Sequence, residues 1–106
     1  MADIINIPET PDINEAEKQI RNIAKFGSII PSYHCFRDSM ANRDYDVQDL
    51  EKVLLNGKIN APPEYDSKYN NWKFKVEGLT TEDDIAVVVT VIISHRELFC
   101  VTIFGK

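Results

Sequence analysis

Residues 34 to 44 read HCFRDSMANRD, and three of them have side chains suited to chemistry on a phosphodiester. His34 can take or give a proton near neutral pH. Arg37 and Arg43 can each hold a phosphate with two parallel hydrogen bonds and stabilise charge that builds up during phosphoryl transfer. Together they suit cleavage of RNA by its own 2′-hydroxyl. The same residues have ordinary structural uses. A histidine near a helix start often bonds a neighbouring loop, and Arg37 has Asp38 and Asp44 at hand as ion-pair partners. On an α-helix, His34 and Arg37 lie one turn apart and border a stripe of Tyr33, Phe36 and Met40, which is expected to be buried. Arg43 falls on the opposite border and joins them only if the chain bends near Asn42.

Other side chains have narrower claims. Lys73 and Lys75 share one face of an alternating segment, where they would meet a phosphate backbone or simply face solvent. His95 sits at an expected turn. Cys35, near a helix start, is a reactive thiol if its pKa is lowered and a small core filler otherwise; Cys100, within an apolar run, reads as core. Tyr65, Tyr69 and Trp72 could stack on bases, although Trp72 alternates with Phe74 as a core residue does. There is no Gly-rich phosphate loop, no nucleophile elbow and no zinc-ligand spacing, so neither a metal nor a cofactor is expected.

These residues must be held by elements that the sequence punctuates clearly. Residues 1–11 read as an N-terminal arm, and 12–106 as a single domain. Asp12 followed by Glu15 is a capping pattern, with Ile13, Ala16, Ile20, Ile23 and Ala24 at helical spacing and Gly27 as a stop. The stretch SIIP reads as a short link to Ser32, the cap of a second helix. Asp44 or Asp46 caps a third, with Val47, Leu50, Val53 and Leu54 buried and Asn56-Gly57 ending it. The period then changes from 3.6 to 2. KINAPPEY is at most a short edge strand, because Pro62 and Pro63 cannot donate to a ladder. NWKFKVEG alternates strictly, IAVVVTVII reads as a central strand, and ELFCVTIF follows a turn at Ser94-His95-Arg96. Two or three helices followed by three or four antiparallel strands predict an α+β fold, with the helices on one face of the sheet.

Composition bears on partners. The chain has 106 residues and a formal charge of −5, against the basic footprint usual for nucleic-acid binders. The acids are uneven. Five fall in the first seventeen residues and three in Glu82-Asp83-Asp84, leaving twelve Lys and Arg against nine acids elsewhere. A neutral-to-basic face is therefore open to this acidic chain. No signal peptide is visible, so a reducing cytoplasm and two free thiols are expected. The longest apolar run is too short for a membrane helix.

The stretch IIPSYHCFRDSMANRDYDVQDLEKVLLNGKI resembles the core of a bacterial family catalogued as a domain of unknown function. The resemblance rests on His34, Arg37, Met40, Arg43, Val47, Leu50, Val53, Leu54, Gly57 and Ile59. It continues through Trp72, Gly78 and the closing Val101-Thr102-Ile103, covering about residues 15 to 104. That family is similar to toxins of the RelE, BrnT and MqsR kind. The resemblance implies a RelE-like scaffold and a metal-independent endoribonuclease of a toxin–antitoxin system. In it His34, Arg37 and Arg43 would be catalytic, Lys73 and Lys75 would bind substrate, RNA would be the substrate and an antitoxin protein the partner. The chain departs from such toxins in being acidic. The alternative is a non-catalytic protein-interaction domain on the same scaffold.

Overall fold

The first helix, α1 (Ile13–Phe26), starts where Asp12 turns its carboxylate onto the free backbone N–H groups of Asn14 and Glu15, at 2.8 and 3.2 Å. This is the capping expected of an Asp at that position. The computed structural model describes residues 9–41 and 43–106. Most of the expected arm, residues 1–8, lies outside them. Ala16, Ile20, Ile23 and Ala24 are buried, as their spacing requires. A Cβ at Gly27 would stand 2.3 Å from the Arg96 carbonyl oxygen, so only glycine lets the chain leave α1 so close to another turn.

The second α-helix, α2 (Val47–Asn56), opens on a complete capping box. The Asp46 side chain accepts from Asp49 N, and the Asp49 side chain accepts from Asp46 N. Leu50, Val53 and Leu54 are buried, but Val47 is 48% exposed; Asp49 takes the inward place in the first turn instead. Between the helices a single stretch of π-helix spans Cys35–Met40.

Six strands form one sheet: β1 (Ser28–Pro31), β2 (Lys58–Ile59), β3 (Glu64–Asp66), β4 (Asn71–Leu79), β5 (Ile85–Ser94) and β6 (Glu97–Gly105). The order is β1-β6-β5-β4-β2, with β3 also on β4. The α+β class holds, and β4, β5 and β6 form an antiparallel meander. The strand count and the all-antiparallel expectation do not hold. SIIP is an edge strand, not a link, and it pairs parallel to β6 with Ile29 opposite Leu98 and Pro31 opposite Cys100. KINAPPEY supplies two short pieces, β2 and β3, on the same edge of β4. Pro62 and Pro63 fall in the gap between them, where no ladder donor is needed.

Alternation divides the sheet into two faces. Phe74, Val76, Val88, Leu98, Cys100 and Ile103 join the buried residues of α1 and α2 in one core. On the other face Lys73, Lys75 and Glu77 stand opposite Val91, Val89 and Val87. Those valines, on the central strand β5, are at most 6% exposed. A register shift between Val89 and Thr90 puts one extra residue, Val101, into β6; such bulges bend the strand.

Candidate functional site

The π-helix is built against the second half of β6, just where β1 stops covering that edge. Ser32 makes the join. Its backbone N–H donates to Cys100 O at 2.8 Å, and its hydroxyl donates to Val101 O at 3.0 Å and accepts from Cys35 N at 2.9 Å. Seven residues on, Ser39 Oγ and Thr102 Oγ1 are 2.6 Å apart. Bonds from Ala41 N to Phe36 O and from Tyr45 N to Met40 O span five residues, the mark of a π turn. The inward side is therefore Cys35, Ser39 and Met40. The expected stripe of Tyr33, Phe36 and Met40 is corrected: Tyr33 is 74% exposed and Phe36 61%. The hydroxyls of Ser32 and Ser39, bonded to β6, settle which side faces the sheet.

The outward side carries two side-chain pairs at i, i+4. His34 Nδ1 lies 3.1 Å from Asp38 Oδ2, with the two side chains 63% and 51% exposed. Arg37 Nη1 donates to the Tyr33 hydroxyl at 3.1 Å, and its guanidinium carbon lies 5.7 Å from the Tyr33 ring centroid. With Nδ1–H donating to Asp38, the neutral imidazole presents Nε2 as an acceptor. The geometry is that of an oriented base beside a tethered guanidinium, both on open surface. Asp38 was the missing partner, and its i+4 spacing from His34 was visible in the sequence. Arg43 lies three residues beyond the π-helix, exposed in the turn that leads to Asp44, whose φ is 58°. No described contact ties Arg43 to His34 or Arg37.

The remaining candidates are scattered. Lys73 Nζ meets Asp66 at 3.2 Å and Lys75 Nζ meets Glu64 at 3.3 Å, so β3 matches each lysine of β4 with a carboxylate. Asp66 is held below the usual carboxylate range; some burial opposes this, and bonds from Lys68 N and Lys73 outweigh it. His95 occupies the β5–β6 turn, with the length of β1, roughly 13 Å, between it and the π-helix. Tyr65 packs edge-on against Trp72, and Tyr69 lies on Phe99. Cys35 and Cys100 are free, buried thiols. Burial pushes Cys35 up to about 11 and Cys100 up to about 12, which makes both core fillers and poor nucleophiles. Among the described residues no three His, Cys, Asp or Glu side chains gather as metal ligands, and no helix is long and apolar enough to cross a membrane.

No curated protein and no solved structure matches the chain. Residues 32–104 match a family model described as "Domain of unknown function (DUF4258)". The matched span begins at the serine that anchors the π-helix and ends in β6, so it takes in His34, Asp38, Arg37 and the sheet they rest on. The chain belongs to the DUF4258 family.

Proposed function

We propose that this protein is a metal-independent endoribonuclease of the RelE-like toxin type, acting in the cytoplasm and restrained by an antitoxin protein. The observation that carries the reading is the His34–Asp38 pair at 3.1 Å on an open turn beside Arg37. A helical pair packed on one face of a β4–β5–β6 meander supports the choice of scaffold. Asp38 accepts from Nδ1–H, fixes the ring and stabilises the imidazolium that forms. Nε2 takes the proton of an RNA 2′-hydroxyl, whose oxygen then bonds to the adjacent phosphorus. The bond from phosphorus to the 5′-oxygen breaks, and that oxygen takes a proton from solvent. Arg37 faces the phosphate oxygens as charge builds on them, and Arg43 adds a second phosphate contact. Lys73 and Lys75 would have to leave their carboxylates to meet RNA, so their part is secondary.

The competing reading is a protein-interaction domain without catalysis. It is favoured by the net charge of −5 and by exposed Tyr33, Phe36 and Arg37, residue types common in interface cores. Incubating the purified chain with RNA separates the two. The endoribonuclease should leave 2′,3′-cyclic phosphate ends, and His34→Ala should slow it by about 10²- to 10⁴-fold. Asp38→Asn should slow it less while shifting the pH profile. RNA that stays intact with the native chain, together with unchanged growth when the chain is expressed alone, would sink the catalytic reading.

A further inference from the structure

The lysines expected to supply positive potential are neutralised by β3, but a different set is not. A groove of about 620 Å³ runs between the outer side of α1 and the C-terminal end of α2. Lys18, Arg21 and Lys25 line it, with Asn22, Asn56 and Phe26, and no carboxylate is among the lining residues. The three cations recur at i, i+3 and i+7, one line along about 10 Å of helix. Arg21 is partly engaged, 3.7 Å from Glu17 and 3.3 Å from the Gly57 carbonyl. Among the described residues, neither Lys18 nor Lys25 has a carboxylate within ion-pair distance. By contrast, Lys52, Lys73, Lys75 and Lys106 each have one.

Phe26 closes one end of the groove at 75% exposure, the most exposed large apolar side chain among the described residues. Lys25 Nζ lies 5.3 Å from its ring centroid. A ring this open offers a flat π-face and no pocket for an apolar side chain. It therefore fits a base better than it fits the apolar anchor of an acidic peptide.

We infer that the α1–α2 groove binds the phosphate backbone of a single-stranded nucleic acid, with Phe26 stacking on one base. Taking the strand to be RNA rests on the function proposed above. Cations along a groove with an interleaved aromatic are the ordinary means of holding a single strand without reading its sequence.

The test uses the full chain carrying His34→Ala, so that RNA stays intact, and follows the anisotropy of a labelled, unstructured twelve-nucleotide RNA across a salt series. Lys18→Gln with Lys25→Gln should weaken binding at least tenfold at low salt. It should also lower the slope of log affinity against log salt by about 1.4, since two phosphate contacts are lost. Phe26→Ala should weaken the single strand roughly tenfold and leave duplex RNA unaffected. Circular dichroism of these surface variants should match the parent. DNA of the same sequence bound as tightly as RNA would support the groove and place recognition in the backbone. Unchanged affinity and slope in the double lysine variant, no RNA binding by the parent, or tighter binding of a polyglutamate peptide than of RNA would each overturn the inference. The two readings fail separately. Groove-dependent binding without cleavage by the native chain removes the nuclease alone. His34-dependent cleavage with binding unchanged in the lysine variant removes the groove alone.

Discussion

Among single residues, Asp49 does more for the fold than any member of the candidate site. It is 5% exposed, and its carboxylate ties the start of α2 to the β4–β5 loop. It accepts from Thr81 N at 3.0 Å, from the Thr81 hydroxyl at 2.7 Å and from Asp46 N at 3.0 Å. Burial alone would raise its pKa; the bonds from Thr81 and Asp46 outweigh that and leave it below the usual carboxylate range. The sign of the linkage follows. A carboxyl whose folded pKa is depressed adds stability above its unfolded pKa, near 4, and loses that contribution as pH falls through the folded value. Asp49→Asn should cost about 1–3 kcal/mol at pH 7, because the amide turns donors toward donors. Chemical denaturation of both proteins from pH 7 to pH 3 should show the gap widest above pH 5 and shrinking below pH 4. A gap that stays constant across that range would mean that the charge of Asp49 is not what holds the β4–β5 loop. In the sequence Asp49 is only the third residue of a helix. Its partner Thr81 lies thirty-two positions away, so nothing local marks it.

At the scale of elements, α2 is seated on the sheet by two glycines that let backbones touch. A Cβ at Gly57 would lie 2.5 Å from Val53 O, 2.7 Å from Val76 Cγ1 and 2.8 Å from Glu77 O; one at Gly78 would meet the Gly57 Cα at 3.0 Å. Gly57 has φ −81°, open to any residue, so space and not backbone conformation demands glycine here. Gly57→Ala should therefore cost about 2–3 kcal/mol, while Glu51→Ala on the exposed side of α2 should stay within about 0.5 kcal/mol. Thermal unfolding of the two variants side by side decides it; a small effect at Gly57 would show that the helix end can lift off β4. The stop at Gly57 was legible from the sequence, as were the cap at Asp12, the cap of α2 to within Asp44 or Asp46, and the period-2 strand at Trp72, Phe74 and Val76. All are local signals. The identity of β1 was not legible, because four residues with two adjacent isoleucines carry no alternation and their parallel partner is about seventy residues downstream. The π turn was also hidden. A pattern read at α-helical period places Tyr33 and Phe36 inside, whereas bonds from Ser32 and Ser39 to β6, 69 and 63 residues away, turn that face outward. Of the candidate site, the types of His34 and Arg37 and the four-residue spacing to Asp38 and Tyr33 were readable; that both pairs face outward depended on which way the turn faced.

For the whole molecule, stability should be graded from the middle of the sheet outward. Strand β5 is paired on both sides and its residues from Ala86 to Val91 are all buried. The π-helix lies at the far edge, packed chiefly against β6 among the strands, and three of its six residues are buried. Its tie to the sheet combines the hydroxyls of Ser32 and Ser39 with the packing of Cys35 and Met40 in the core. Opening that segment pulls Cys35 and Met40 out of the shared core but leaves the β4–β5–β6 pairing intact, so its free energy should lie below that of global unfolding. Amide hydrogen exchange should then show β5 and the facing part of β4 exchanging last, through global unfolding, and residues 35–41 exchanging much earlier. Ser32→Ala should speed exchange in residues 35–41 by roughly five- to thirtyfold, the equivalent of about 1–2 kcal/mol for a lost cap and its bonds, and leave β5 nearly unchanged. Were the π-helix to exchange as slowly as β5 in the native chain, the edge would be part of the same cooperative unit. The consequence for function differs between the two outcomes. A separately opening edge lets His34 and Arg37 adjust to a bound strand or partner without unfolding β4 and β5. An edge locked to β5 would have to receive its ligand with the side-chain pairs as they stand, on the surface that Tyr33 and Asp38 already organise.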